Sequence, residues 1–271
     1  MPAILSKAKE ILLPHRFNYF HYQAGYGYTY QASREYFNRH LKIIPKVLTD
    51  VSEISLQTTI FGHIYNNPII IAPTAFHRLA HCDGEWGTAQ GATNAESIYI
   101  CNWTLSTVST HPRLDEHTPN AKLTWKEFQW LRKLTKLPLV CKGILSIDDA
   151  KLALEYGADG IVVSNHGGRQ VDTGLSAIEC LKDIVEFVNG RCEVFVDGGI
   201  RTGTDVLKCL ALGAKGVLVG RPILYGLTCG GHNGVEAVLN LLKQELMYDM
   251  ASCGLTRIEQ INERILYKYR Q

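Results

Sequence analysis

One loop of the sequence contains a histidine and an arginine three positions apart. An apolar, β-branched run at residues 160–164 leads directly into this loop, which carries His166 and Arg169. An imidazole can take a proton near neutral pH, and a guanidinium matches a carboxylate through two parallel hydrogen bonds. Residues that follow parallel strands line the active sites of α/β proteins. The pair therefore predicts an active site in which His166 is a base and Arg169 binds a carboxylate.

Two more loops place glycines beside arginines, again after apolar runs. Asp197 and Gly199 precede Arg201, and Gly220 precedes Arg221. Backbone N–H groups at such glycines and at a helix N-terminus bind phosphate, and many barrels carry this site after their last two strands. The two loops therefore predict a phosphorylated cofactor or substrate rather than two ordinary surface arginines.

Lys142 ends another apolar run, at residues 137–142, so its ammonium is expected at the end of a strand, beside the loops of His166, Arg201 and Arg221. Two roles suit a lysine in this place. It is either the Schiff-base lysine of an aldolase-type barrel or a fixed charge that stabilises the electron-rich edge of a reduced flavin. The spacing alone leaves both roles open.

The elements that must position these side chains alternate regularly. From residue 68 onward, short apolar runs alternate with helical patterns, which is typical of βα units around a parallel sheet. The predicted strands are residues 68–72, 97–101, 137–141, 160–164, 193–196 and 216–220. The predicted helices are residues 84–95, 125–134, 146–155, 176–188 and 204–212. Thr202 or Thr204 is the expected N-cap of the last helix, and Gly157 and Gly213 are expected left-handed C-terminal caps.

This alternation predicts an α/β fold, a TIM-type (β/α) barrel with an N-terminal helical lead-in. The barrel is expected to be incomplete, because a closed one needs eight strands and six are recognisable. Two βα units are missing between residues 102 and 136. We expect a single domain over residues 1–271, with the helical segment at 1–60, the partial barrel at 61–251 and a C-terminal tail at 252–271.

The composition favours a small-molecule ligand over nucleic acid or a membrane. The 28 Lys and Arg nearly balance the 26 Asp and Glu, so the chain has no strong field to attract polyanions. The sequence contains no apolar run of about eighteen residues, so no ordinary transmembrane helix is expected. The eight cysteines have no C-x-x-C spacing and the ten histidines no H-E-x-x-H spacing, so we predict free thiols and no metal.

Together these motifs resemble the FMN-dependent 2-hydroxy-acid oxidases and dehydrogenases, a family that includes glycolate oxidase. The resemblance is carried by SNHGGRQ at 164–170, DGGIR at 197–201, GRP at 220–222, KG at 142–143, and APTA at 72–75 followed by His81 and GE at 84–85. It covers nearly the whole chain apart from a break after about residue 107. It implies FMN as the cofactor and favours the flavin role for Lys142.

The resemblance also implies a role for each motif residue. His166 would be the base, and Arg169 and Tyr22 would bind the substrate, Tyr22 through the family's Tyr-x-x-Gly pattern. The residues implied to hold FMN are Pro73, Thr74 and Ala75 against the isoalloxazine ring, Asn102 in the place of a flavin-contacting serine, Lys142 at the N1 and O2 edge, Ser164 on the ribityl side, and Asp197, Gly199, Arg201, Gly220 and Arg221 along the ribityl chain and phosphate.

The implied reaction is oxidation of an (S)-2-hydroxy acid to a 2-oxo acid, with oxygen as acceptor and hydrogen peroxide as product. The resemblance implies a peroxisomal protein, although residues 269–271 are not an S-K-L-type signal, which keeps the cytoplasm as the alternative. A homo-oligomer is compatible with the sequence.

The break falls where the family has its third and fourth barrel strands and its mobile active-site loop. A second substrate tyrosine, the aspartate that orients the histidine, an extra arginine, and the glutamine and threonine facing the flavin therefore have no counterpart. Two rival functions stay open. One is a catalytically impaired flavin-binding remnant or truncated isoform, and the weaker one is another phosphate-binding barrel enzyme such as an isomerase.

Overall fold

A computed structural model describes residues 1–102 and 123–268 of the chain. The lead-in contains three helices, α1 (Pro2–Ile11), α2 (Pro14–His21) and α3 (Tyr28–Arg39), and the short strand β1 (Leu41–Ile43). A hairpin of two short strands follows, β2 (Thr58–Ile60) and β3 (His63–Tyr65). The predicted break after residue 107 lies outside the described residues.

The elements that follow the hairpin alternate between strand and helix. They are β4 (Ile69–Ile71), α4 (Gly84–Asn94), β5 (Ile98–Tyr99), α5 (Trp125–Leu134), β6 (Val140–Ile144), α6 (Ile147–Glu155), β7 (Gly160–Val163), α7 (Ala177–Val188), β8 (Glu193–Asp197), α8 (Gly203–Ala211), β9 (Gly216–Val219), α9 (Arg221–Ser252) and β10 (Leu266–Lys268). The five predicted helices are present, each with its ends within one residue of the prediction.

The strands β4 to β9 form one parallel sheet in the order β5, β4, β9, β8, β7, β6. This confirms the predicted α/β fold with six recognisable strands. Strand β6 begins at Val140 rather than at residue 137, since Pro138 has no N–H to give to the ladder. Strands β5 and β6 form the two edges, and within residues 1–102 and 123–268 no further strand pairs with either of them.

Local chemistry sets the ends of the helices around the sheet. The Thr202 hydroxyl accepts a hydrogen bond from the Asp205 N–H at 3.1 Å, and the Asp205 carboxylate accepts one from the Thr202 N–H at 3.0 Å. Thr202 rather than Thr204 is therefore the N-cap of α8. Gly157 and Gly213 have the expected left-handed φ values of 81° and 98° just after α6 and α8.

The structure contains two antiparallel strand pairings that the sequence did not predict. Strand β10 pairs with β1, so part of the expected C-terminal tail is tied to the end of the lead-in. The hairpin of β2 and β3 closes the end of the sheet where the strands begin, and there the Phe61 N–H donates to Glu193 Oε1 at 2.8 Å. The site must therefore lie at the other end, where the strands finish. None of the described helices is both long and apolar enough to cross a membrane.

Candidate active site

A cavity of about 640 Å³ lies at the carboxyl ends of the sheet strands. It brings together twelve of the fourteen predicted site residues, and only Tyr22 and Ser164 do not line it. The predicted residues that line it are Pro73, Thr74, Ala75, Asn102, Lys142, His166, Arg169, Asp197, Gly199, Arg201, Gly220 and Arg221. Motifs that are up to about 150 positions apart in the sequence therefore meet at one site, as the parallel topology requires.

Ser164 lies directly behind the cavity wall rather than in it. It is 1% exposed, and its hydroxyl oxygen accepts from Lys142 Nζ at 2.8 Å and from the His166 N–H at 3.1 Å. The serine therefore holds the lysine and the start of the histidine loop in fixed relative positions.

Lys142 and Asp197 form an ion pair across the mouth of the sheet. The Lys142 ammonium lies 2.6 Å from Asp197 Oδ2, while Asp197 Oδ1 is buried and has no hydrogen-bond partner among the described residues. A buried carboxylate oxygen without a partner carries a desolvation penalty of about 1–3 kcal/mol or more. This oxygen, beside the cavity, is therefore suited to accept a hydrogen bond from a hydroxyl group of a ligand.

His166 stands at the start of a tight left-handed turn. His166, Gly167 and Gly168 have φ values of 55°, 67° and 71°, which is uncommon for a residue with a side chain. Burial lowers the pKa of His166, and the nearby ammonium of Lys142 lowers it further, while Asp197 opposes the shift. The imidazole is therefore neutral at neutral pH and can act as a base.

Arg169 is held by the lead-in rather than by a carboxylate. One terminal nitrogen of its guanidinium donates to the carbonyl of Tyr19 at 2.8 Å. The guanidinium also lies 5.3 Å from the centre of the Tyr19 ring and 5.6 Å from that of the Tyr22 ring. Tyr22 is 54% exposed and contacts Arg169 outside the cavity lining, so its role in substrate binding stays a prediction.

Arg221 crosses from the start of α9 to the loop of His166. It donates to the carbonyls of Phe20, Gly167 and Tyr22 at 3.0, 2.9 and 2.7 Å. Burial lowers the pKa of Arg221 to about 10, and the neighbouring Arg201 contributes to the shift. Because the charges of the two arginines repel each other, an anion between them would relieve the repulsion.

The cavity is thus rich in positive charge. Among the described residues, Arg169, Arg201 and Arg221 each have no carboxylate within 4.0 Å. The N-terminus of α9 also enters this region at Gly220, and no side-chain hydrogen bond caps it. Guanidiniums without a carboxylate partner among the described residues, together with a helix N-terminus that has no side-chain cap there, form an anion site.

Residues outside the predicted motifs fasten the lead-in to this loop. Asp172 accepts from the N–H groups of Tyr26 at 2.7 Å and Thr29 at 3.1 Å, which ties the start of α3 to the loop after His166. Tyr19 and Phe20 line the cavity itself. Sequence reasoning missed Asp172 because its partners lie more than 140 positions away and no local pattern marks the contact.

The described residues contain one group whose ligand atoms lie close enough for a metal ion, His81, Cys82 and Asp83, with these atoms within 4.8 Å of one another. It lies outside the cavity lining, and two of its residues are exposed. The prediction that the protein has no metal stays a prediction.

The fold and the site define a TIM-type α/β protein with a cofactor-sized, anion-binding cavity at its carboxyl-terminal face. The FMN-dependent dehydrogenase family matches residues 8–115 and 103–268. The chain therefore belongs to the FMN-dependent dehydrogenase family, and its cofactor is FMN.

Individual relatives agree with this assignment. An L-lactate oxidase from Nostoc sp. is 35% identical over 350 aligned positions, covering 96% of this chain and 95% of the relative. A peroxisomal (S)-2-hydroxyacid oxidase from Arabidopsis thaliana is 35% identical and covers 84% and 87%. Both alignments are longer than the 271 residues of this chain, so each relative has residues without a counterpart here. This agrees with the predicted internal deletion.

Solved structures support the same fold. A crystal structure of mandelate oxidase is 31% identical, with a TM-score of 0.90, and covers 98% of this chain and 97% of its own. A mandelate oxidase variant with the monooxide FMN adduct is 33% identical, with a TM-score of 0.88, and covers 99% and 100%.

Proposed function

We propose that this protein oxidises an (S)-2-hydroxy acid to the 2-oxo acid, with oxygen as acceptor and hydrogen peroxide as product. The observation that carries the proposal is the set of three guanidiniums around one cavity, those of Arg169, Arg201 and Arg221, with no carboxylate partner among the described residues. The cavity therefore suits two anions, the phosphate of FMN and the carboxylate of a substrate.

The residues present fit FMN. Asp197 Oδ1, which is buried and has no partner within residues 1–102 and 123–268, suits a hydroxyl of the ribityl chain. Arg201, Arg221 and the N-terminus of α9 suit the phosphate. Lys142 and the wall at residues 73–75 suit the isoalloxazine ring. When bound, FMN supplies the acceptor for the electron pair that leaves the substrate.

The protein's own residues would bind and orient the substrate and take its proton. Arg169 would anchor the carboxylate, since the Tyr19 carbonyl and the Tyr19 and Tyr22 rings fix the direction of its guanidinium. The neutral imidazole of His166 would take the proton at the hydroxyl-bearing carbon or its oxygen. Because Arg169 and His166 line one cavity, a substrate bound through its carboxylate would be held in the geometry that proton transfer to His166 needs.

A second candidate is a flavin-binding protein with little or no turnover. Two observations favour it: the relatives have residues without a counterpart here, and β5 and β6 have no outer partner among the described residues. Loss of the family's orienting aspartate would leave Asp197 as the carboxylate that acts on His166, and Asp197 is already paired with Lys142. In that case FMN binds while the proton transfer is slow.

The experiment is the visible absorption spectrum of the purified full-length chain after gel filtration, recorded anaerobically before and after addition of (S)-lactate, glycolate or a longer 2-hydroxy acid. A flavin band that bleaches with the (S) but not the (R) acid supports oxidation, and peroxide formed on admitting oxygen supports the oxidase reaction. A band that persists favours the second candidate. Protein without a flavin band, even after incubation with FMN, would refute both.

The cellular location is proposed on the likeness to the peroxisomal relative. A fluorescent fusion of the full chain that leaves the C-terminus free is expected to coincide with a peroxisomal marker. A diffuse cytoplasmic signal would support the alternative instead.

A further inference from the structure

A fully buried histidine stands behind the wall that is proposed to face the flavin. His77 is 0% exposed and begins a short 3-10 helix two positions after Ala75. Its Nε2 lies 2.5 Å from the hydroxyl oxygen of Thr74, which lines the cavity, and its Nδ1 lies 2.7 Å from the hydroxyl oxygen of Thr88. Both ring nitrogens are therefore in hydrogen bonds, and one of these reaches the cavity wall.

The ring must be neutral in this place. Burial lowers the pKa of His77, although two contacts oppose the shift: the Glu85 carboxylate, which accepts from the backbone N–H of His77 at 3.1 Å, and a hydrogen bond to the backbone of Thr74. A neutral imidazole has one N–H donor and one nitrogen that can only accept. The partners of the two nitrogens therefore decide which one carries the hydrogen.

The direction of the two hydrogen bonds of the His77 ring follows from Thr88, the partner that does not line the cavity. The Thr88 hydroxyl lies 3.4 Å from the Gly84 carbonyl one helical turn earlier, and a carbonyl can only accept. A Thr88 hydroxyl that donates to this carbonyl, as threonines inside helices commonly do, accepts from Nδ1–H of His77. In that arrangement Nε2 is left as an acceptor, and Thr74 donates to it.

We infer that His77 is a positioning residue, which fixes the Thr74 hydroxyl as a hydrogen-bond acceptor toward the cavity. Because the only hydrogen of this hydroxyl points away from the cavity, Thr74 presents lone pairs alone to a ligand. Such a wall favours a flat ring with an N–H group at its edge, which an isoalloxazine has, over one that offers only acceptors there. This inference rests on the proposed function for the identity of the ligand, but the hydrogen-bond direction does not.

The first test needs no ligand. In the full-length protein labelled with nitrogen-15 at histidine, the two ring nitrogens of His77 are distinguished by their chemical shifts, and the His77→Gln variant assigns the signals. We expect hydrogen on Nδ1 and a bare Nε2 near neutral pH. Hydrogen on Nε2 would overturn the inference, since Thr74 would then be free to donate into the cavity.

The second test measures FMN affinity by quenching of flavin fluorescence on titration with the apoprotein. Thr74→Val and His77→Phe are each expected to weaken binding about fivefold, the size of one neutral hydrogen bond. The double variant should bind no worse than either single one, because His77 acts through Thr74. The His77→Gln variant, which keeps an acceptor near the position of Nε2, should restore most of the affinity.

A merely structural role of His77 would make the two single effects additive and would leave His77→Gln as weak as His77→Phe, and either result would overturn the inference. If the wild-type chain takes up no FMN, the proposed function fails while the tautomer measurement still decides the role of His77.

Discussion

The ammonium of Lys142 lies 2.6 Å from Asp197 Oδ2, so the ion pair joins edge strand β6 to β8 across the end of β7. The pair neutralises one oxygen of the carboxylate and leaves Oδ1 buried, with no hydrogen-bond partner in the part of the chain that the structure describes. An oxygen in that state accepts a hydrogen bond at little further cost in desolvation, since burial has already removed its water. The ion pair thus prepares Asp197 to bind a ligand hydroxyl.

The first prediction concerns the binding of FMN by Asp197. Asp197→Asn removes the charge that pairs with Lys142 and replaces one acceptor oxygen by a donor, so FMN affinity should fall about 10- to 100-fold, equivalent to about 1.5–3 kcal/mol. Fluorescence titration with FMN measures this change. Asp159→Asn is the matched control, because Asp159 forms an ion pair with Arg132 away from the cavity. Equal losses in both variants would contradict the proposed contact.

Substitution of Arg201 tests the binding of the FMN phosphate separately from the binding of the isoalloxazine ring. Among the described residues its guanidinium donates only to the Ile200 carbonyl at 2.7 Å and, at 3.5 Å, to the Tyr30 hydroxyl, so its substitution disturbs few of these contacts. Arg201→Gln is expected to weaken FMN binding about 10- to 100-fold and to leave riboflavin binding, which involves no phosphate, nearly unchanged. Calorimetric titration with both ligands measures the difference. The exposed Arg39→Gln should alter neither, and a parallel loss of riboflavin binding would argue against a phosphate role for Arg201.

His166 should impose a pH dependence on turnover. Burial and Lys142 hold its pKa below the ordinary value of 6.5, so the base is neutral at pH 7 and becomes protonated only under more acidic conditions. We therefore expect kcat/KM to be level above pH 6.5 and to fall at lower pH as His166 takes its proton. Anaerobic bleaching rates of the bound flavin across pH 5–8 provide this profile.

Replacement of the same side chain separates binding from chemistry. His166→Asn should slow flavin bleaching about 10²- to 10⁴-fold while FMN stays bound, because the amide cannot serve as the base. A variant that bleaches at the wild-type rate would remove His166 from the proposed role.

The parts of this structure that follow from local patterns could be predicted from the sequence. Strands and helices repeat their apolar periodicity every few residues, and the cap at Thr202 is set by a side chain three positions away. Contacts between distant segments leave no such mark. The pairing of Leu41 with Lys268 and the hydrogen bonds between Asp172 and the start of α3 form only when the chain has its tertiary structure.

The candidate site likewise contains features that local patterns predict and features that only the tertiary structure shows. The strand-end motifs of Lys142, His166 and Arg221 all line one cavity, since parallel strands end on the same side. Ser164 was expected to face the ligand, yet it lies behind the wall, because the side chain at the end of β7 turns toward Lys142. His77 lies four positions before His81, but this spacing does not indicate its hydrogen bonds, and only the structure shows that both of its ring nitrogens are bonded.

The glycine at position 199 gives a last prediction, on stability. Gly199 has φ of 80°, and a Cβ added there would lie 2.2 Å from the Ser33 carbonyl oxygen of α3. Gly199→Ala therefore adds a clash with the lead-in to the strain of a left-handed residue, and it should lower the free energy of unfolding by roughly 3 kcal/mol or more. Gly190→Ala is the matched control, because Gly190 has φ of 74° but would place its Cβ with nothing within 4 Å. Urea denaturation should show a loss of only about 1–2 kcal/mol for the control. Equal losses in the two variants would mean that α3 does not pack against the loop at Gly199 as closely as the structure shows.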